Sequence, residues 1–185
     1  MNLIMSKKHK KNWKAYCETA FNNLRSNVKN WGEEDYYRPI TRTFYINVFD
    51  CAGINHTGFI SENAIRNPSE RTLDHCLSPQ FIGRMVMDNP DKFLCDLGTF
   101  KEMFWRACST ITVTKKENTL LSQLTENDGY TYKVHVPTHL KYNHLGIKLC
   151  DRLDNTYWKD SVQMDSNIID VPEELLEYET QFLVV

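Results

Sequence analysis

The sequence predicts a mixed α+β domain, and a few observations carry that expectation. Apolar residues recur at helical period near the start, short β-branched runs follow, and helix-start signals stand between those runs. With 185 residues, 41% apolar and 12% aromatic, the chain has enough material for a real core. We expect a single domain over 1–185. A basic helix and loop occupy 1–40, a core occupies 41–126 with its centre at 68–126, and 127–185 form an accessory C-terminal layer.

After Lys7-Lys8-His9-Lys10-Lys11, the stripe Trp13, Tyr16, Cys17, Ala20, Phe21, Leu24 and Val28 predicts an amphipathic first helix. A loop with Gly32 and Glu33-Glu34-Asp35 runs from Trp31 to Pro39. Thr41 to Phe49, β-branched and aromatic, reads as a strand. Gly53 and Gly58 punctuate a turn-rich connection in which His56 is a turn residue. Ser61 to Asn67 forms a helical turn stopped by Pro68, and Glu70 to Cys76 reads as the strand that delivers Asp74 and His75.

Ser78-Pro79 pairs an N-cap residue with proline at the first helical position, and Phe81, Ile82, Met85 and Val86 give that helix its buried face. Asn89-Pro90 ends it. Thr99-Phe100-Lys101-Glu102 is a capping-box pattern followed by Met103, Phe104 and Ala107. The pattern returns at Thr114-Lys115-Lys116-Glu117 directly after the strand Thr110 to Val113, which puts Asn118 in or just beyond the first turn of a new helix. Leu120, Leu121 and Leu124 anchor that helix. Asn127-Asp128-Gly129 turns the chain into the alternating run Tyr130, Tyr132, Val134 and Val136, closed by Pro137. Proline and early acids at Val171-Pro172-Glu173-Glu174 open a last helix carrying Leu175, Leu176, Phe182 and Leu183.

The formal net charge of −2 conceals an asymmetry: residues 1–150 hold 20 Lys/Arg against 15 Asp/Glu, and 151–185 hold 2 against 9. A basic body suits phosphates, whereas an acidic tail avoids them. Cysteines 17, 51, 76, 95, 108 and 150 form no CxxC pair, which predicts reduced and mostly buried thiols rather than structural zinc or a disulfide framework. The opening is too quickly basic for a signal peptide, and no stretch approaches the ~20 apolar residues of a membrane span. We expect a cytoplasmic protein with no membrane partner.

Asp74, His75 and Asn118 bring a carboxylate, an imidazole and an amide to one strand-strand-helix unit. Hard divalent ions prefer oxygen ligands, so Asp74 and the Asn118 amide oxygen make a partial site for Mg²⁺ or Mn²⁺ that substrate phosphate would complete. His75, titrating near neutrality, suits removal of a proton from water. For nucleic-acid contact the candidates are Arg84, Lys115 and Lys116 near this centre, and Lys7, Lys8, Lys10, Lys11 and Lys14 at the start. His135, His139 and His144 lack zinc-like spacing and read as strand and loop residues.

Arg71-Thr72-Leu73-Asp74-His75-Cys76-Leu77-Ser78-Pro79 together with Ile111-Thr112-Val113-Thr114-Lys115-Lys116-Glu117-Asn118-Thr119-Leu120-Leu121 resembles the HNH, or His-metal-finger, endonucleases of phage and homing type. The resemblance covers about a third of the chain. It implies a beta-beta-alpha metal core with a helical insertion between Ser78 and Cys108, host-cell cytoplasm as the setting, and DNA as the partner. It also implies that His75 acts as general base and that Asp74 and Asn118 hold the metal. The competing expectation is a non-catalytic nucleic-acid-binding or host-interaction protein. A carboxylate-carboxylate-lysine restriction core is excluded, because no Asp is followed by a Glu-x-Lys strand at suitable spacing.

Overall fold

A computed structural model describes residues 12–151, 169 and 171–184. The fold is α+β: helices pack on a small mixed sheet. In chain order the elements are α1 (Trp13–Asn27), α2 (Glu34–Asp50), β1 (Asn55–Ser61), α3 (Glu62–Arg66), β2 (Arg71–His75), α4 (Pro79–Asp88), α5 (Pro90–Phe93) and α6 (Leu97–Ala107). There follow β3 (Ser109–Thr114), α7 (Lys115–Ser122), β4 (Thr125–Asn127), β5 (Tyr132–Val134), α8 (Lys141–His144), β6 (Leu149–Asp151) and α9 (Glu173–Thr180). The main sheet runs β2-β3-β1-β6, with β1 parallel to β3 and both outer pairs antiparallel, while β4 and β5 form a separate hairpin.

The first helix is as expected, burying Cys17, Ala20, Phe21 and Leu24. Residues 41–49 are not a strand but the C-terminal half of α2. Their buried positions, Ile40, Thr41, Phe44, Asn47 and Val48, fall at helical period, and α2 packs that stripe against α1 and α4. Tertiary packing thus overrides both β propensity and the interior Pro39, a residue that costs a helix roughly 3 kcal/mol. Gly83 on α4 permits the close approach, since a Cβ there would stand 3.1 Å from Cδ1 of Phe44.

The glycine-marked connection after α2 also contains a strand. His56 sits on β1, where Nε2 meets the Thr112 hydroxyl at 2.8 Å and Nδ1 accepts from the Gly58 amide at 2.9 Å. Gly58 has φ +95° within a register shift between His56 and Ile60, so the residue that suggested a turn instead bulges a strand. The helical turn at 61–67, the strand at 71–75 and the helix started by Ser78-Pro79 are all present, and the Ser78 hydroxyl accepts from the Phe81 amide.

Helix α6 begins earlier than its capping-box pattern suggests. Asp96 is the cap, accepting from the Thr99 amide at 2.9 Å and the Thr99 hydroxyl at 2.8 Å. The box at Thr114/Glu117 is real, and Glu117 does more than cap. Its carboxylate also accepts from the Ser61 hydroxyl at 2.7 Å and the Asn63 amide at 3.0 Å, tying α7 to β1 and α3. Leu121 and Leu124 enter the core, whereas Leu120 faces solvent. The C-terminal helix buries Leu175, with Phe182 and Leu183 lying past its end. All six cysteines are free thiols; only Cys95 is exposed. No described helix is long and apolar enough to cross a membrane.

Candidate functional site

Strand β2 pairs antiparallel with β3 from Arg71↔Thr114 to His75↔Thr110, and α7 starts at the Arg71 end and packs against both strands. A helix that begins there must run back along the hairpin. One face of α7 consequently overlooks the end of β2, and a cavity of about 240 Å³ opens between them. Asp74, His75 and Asn118 all line it, together with Lys141, Tyr45, Phe49 and Gln80. The apolar part of the wall comes from Leu73, Pro79, Leu121, Leu124 and Val136.

Alternation along β2 sends Asp74 and His75 to different neighbours. Asp74 is buried, and its Oδ2 accepts from Lys141 Nζ at 2.7 Å and from the Tyr142 hydroxyl at 2.5 Å. Lys141 also donates to the His75 backbone carbonyl at 2.7 Å, so one ammonium holds the end of the strand by side chain and main chain together. Burial, and secondarily the Asp74 charge, push the Tyr142 phenol well above its ordinary range and keep it a donor. Burial likewise pushes the neighbouring Cys76 thiol up to about 12, which excludes it as a nucleophile at neutral pH.

His75 turns toward α2, its ring 6.3 Å from that of Phe49. Its Nε2 is enclosed and has no protein partner. Burial lowers its pKa to about 4; the Asp74 carboxylate and the Val48 backbone favour a proton on the ring, Lys141 opposes one, and burial dominates. The imidazole is neutral at pH 7. Because the unfolded chain takes up this proton near pH 6.5 and the native one only near 4, stability falls as pH drops through that window, by at most about 3 kcal/mol. Urea unfolding of wild type and H75Q should therefore diverge in slope between pH 6.5 and 4. Parallel pH profiles would show that the ring is not buried neutral.

The loop that presents Lys141 is braced from the C-terminal helix. Glu179 on α9 accepts from the Thr138 amide at 3.1 Å and from its hydroxyl, and Thr138 lines the cavity. Burial raises the Glu179 pKa, and the Thr138 hydrogen bonds and the Lys141 charge offset part of that rise. Lys141, Tyr142 and Glu179 were not among the sequence candidates. The run from Thr138 to Gly146 has no periodicity and no motif, so nothing local marks Lys141 or Tyr142, and Glu179 reads as one more acid of the last helix.

The proposed phosphate contacts fare differently. Arg84 is largely enclosed, its side chain 15% exposed. Its guanidinium lies among the rings of Tyr37, Tyr132 and Phe182 at 5.2, 5.6 and 5.7 Å, donates to the Tyr130 carbonyl, and sits 3.6 Å from Asp88. That cage makes it a packing residue. Lys115 is exposed and 3.9 Å from Glu70. Lys116 lines a separate groove with Asn63, Asn67 and Glu70, on the face of α7 roughly opposite Asn118 at 100° per residue. Lys14 is exposed on α1, and Lys7, Lys8, Lys10 and Lys11 lie outside the described residues.

For a metal, Asp74 and Asn118 offer hard oxygen donors on a single cavity, which suits Mg²⁺ or Mn²⁺ that retains waters and takes phosphate oxygens. Lys141 competes for the same carboxylate. Among the described residues no group of three or more His, Cys, Asp or Glu is placed to hold an ion. The donor set fits an ion that substrate helps to hold rather than a resident structural one. Set against known proteins, the chain matches no family model, no curated protein and no solved structure.

Proposed function

We propose that this protein is a nuclease, a divalent-metal-dependent hydrolase of DNA phosphodiester bonds that works at the cavity beside β2. One observation supports the reading above all. Asp74, His75 and Asn118 line the same cavity although a helical excursion separates the last from the first two. The order β2, β3, α7, with helix α7 returning along an antiparallel pair, supports the same reading.

Hydrolysis requires an activated water and relief of charge on the departing oxygen. The neutral His75 ring, on a residue that lines the cavity, takes the proton from water. Asp74 and Asn118 would hold Mg²⁺ or Mn²⁺, which when bound supplies positive charge at the scissile phosphate. Lys141 fixes the strand end from which Asp74 and His75 project, and Tyr142 supports the same carboxylate from the buried side. The apolar wall lowers the local dielectric, so the few charges present act more strongly than they would in water.

Supercoiled plasmid is the direct test. Nicking is expected with Mg²⁺ and none with EDTA. Salt-sensitive binding that EDTA leaves unchanged, with no nicking under either condition, would replace the nuclease with a non-catalytic nucleic-acid-binding protein.

A further inference from the structure

The outer face of α2 is unusual in what it presents. Arg38, Arg42, Tyr45 and Phe49 are spaced by four, three and four residues, which at 100° per residue confines them to one narrow stripe. Its length is on the order of 16 Å at 1.5 Å per residue. Both arginines are exposed, and neither forms an ion pair with a carboxylate among the described residues. They line a groove of about 390 Å³ whose other walls include Gln80 and Asn127. Tyr45 and Gln80 line both this groove and the cavity holding Asp74 and His75, so the two adjoin at those side chains.

The aromatic end of the stripe has its own geometry. The Tyr45 and Phe49 rings are 5.7 Å apart and inclined by only 29°, and Phe49 is followed by the His75 ring at 6.3 Å and 35°. Phe49 is 55% exposed, an extent a core-directed phenylalanine would not show. Asp128 borders the groove, but its carboxylate is occupied by the Tyr130 and Thr131 amides and the Thr131 hydroxyl. Glu34, one turn before Arg38, bounds the stripe at its far end.

We propose that this face of α2 is a track for a single-stranded nucleic-acid segment, with Arg38 and Arg42 holding successive phosphates and Tyr45 and Phe49 stacking on unpaired bases at the mouth of the cavity. The proposal deepens the nuclease reading and rests on it for its purpose. The chemistry is that of sequence-tolerant strand binding: guanidinium groups along a backbone, and π faces that accept any base. A paired duplex buries its bases against one another and offers nothing to Phe49. The track therefore favours melted, gapped or looped substrate over intact duplex.

The test is metal-free and does not depend on cleavage. Binding of the full chain to a fluorescent oligothymidylate and to a blunt duplex of equal length is measured by anisotropy across a NaCl series. The single strand is expected to bind at least about tenfold tighter. R38Q/R42Q should weaken it and reduce the slope of log K against log salt by about 1.4, at ~0.7 per phosphate lost. F49S should weaken binding roughly 5- to 100-fold and leave the slope alone, because stacking on one base is worth about 1–3 kcal/mol. Wild-type affinity and slope in R38Q/R42Q together with wild-type affinity in F49S would overturn the track, as would tighter binding to duplex. Plasmid nicking by the wild type with those results would remove the track and keep the nuclease. The expected binding signature without any nicking would do the opposite.

Discussion

Replacing His75 by alanine is expected to lower plasmid nicking by about 10²–10⁴-fold, the usual contribution of a positioned general base, while DNA affinity is retained. The expectation follows from a neutral ring on a residue that lines the cavity, with an Nε2 that no protein group occupies. Its low pKa gives a second signature: the acid limb of kcat/KM belongs near pH 4 instead of the usual histidine range. Measuring the rate from pH 4 to 8 separates this from a structural role. An H75A enzyme that nicks at the wild-type rate would remove the histidine from the mechanism.

Asp74→Ala should have the largest effect on stability. It strips the carboxylate from Lys141, whose side chain is only 11% exposed, and from the buried Tyr142 hydroxyl. Breaking a buried pair by deleting one member typically costs 3–5 kcal/mol, because the surviving charge has lost its water and its partner. Urea unfolding reads that loss directly. Asp74→Asn keeps an acceptor and should lose less. A D74A protein within about 1 kcal/mol of wild type would mean that Lys141 is free in solution, available to a phosphate and not committed to the strand.

What could be foreseen divides by the range of the interactions involved. Thr114/Glu117 and Ser78-Pro79 are local signals, satisfied by amides within three residues, so they fixed two helix starts and put Asn118 on the helix that faces Asp74. Residues 41–49 misled because strand propensity is itself a record of packing, and here the partners are helices α1 and α4. For Arg84 the sequence shows the charge and hides the rings around it. Lys141 reaches Asp74 across 67 positions, and no pattern in a single chain encodes a contact of that span. The stripe on α2 is hidden in the sequence for the same reason that the helix is. Read as a strand, Arg38 and Phe49 do not share a face.

The brace between Glu179 and Thr138 has a consequence for synthesis. On a growing chain Asp74, His75 and Asn118 leave the ribosome long before residue 179 does. The sheet can assemble in that interval, but the segment that delivers Lys141 then holds to Asp74 and the His75 carbonyl without the second support that α9 gives at Thr138. A nascent chain thus carries the groups of the cavity without this brace until residue 179 has been made and α9 can dock.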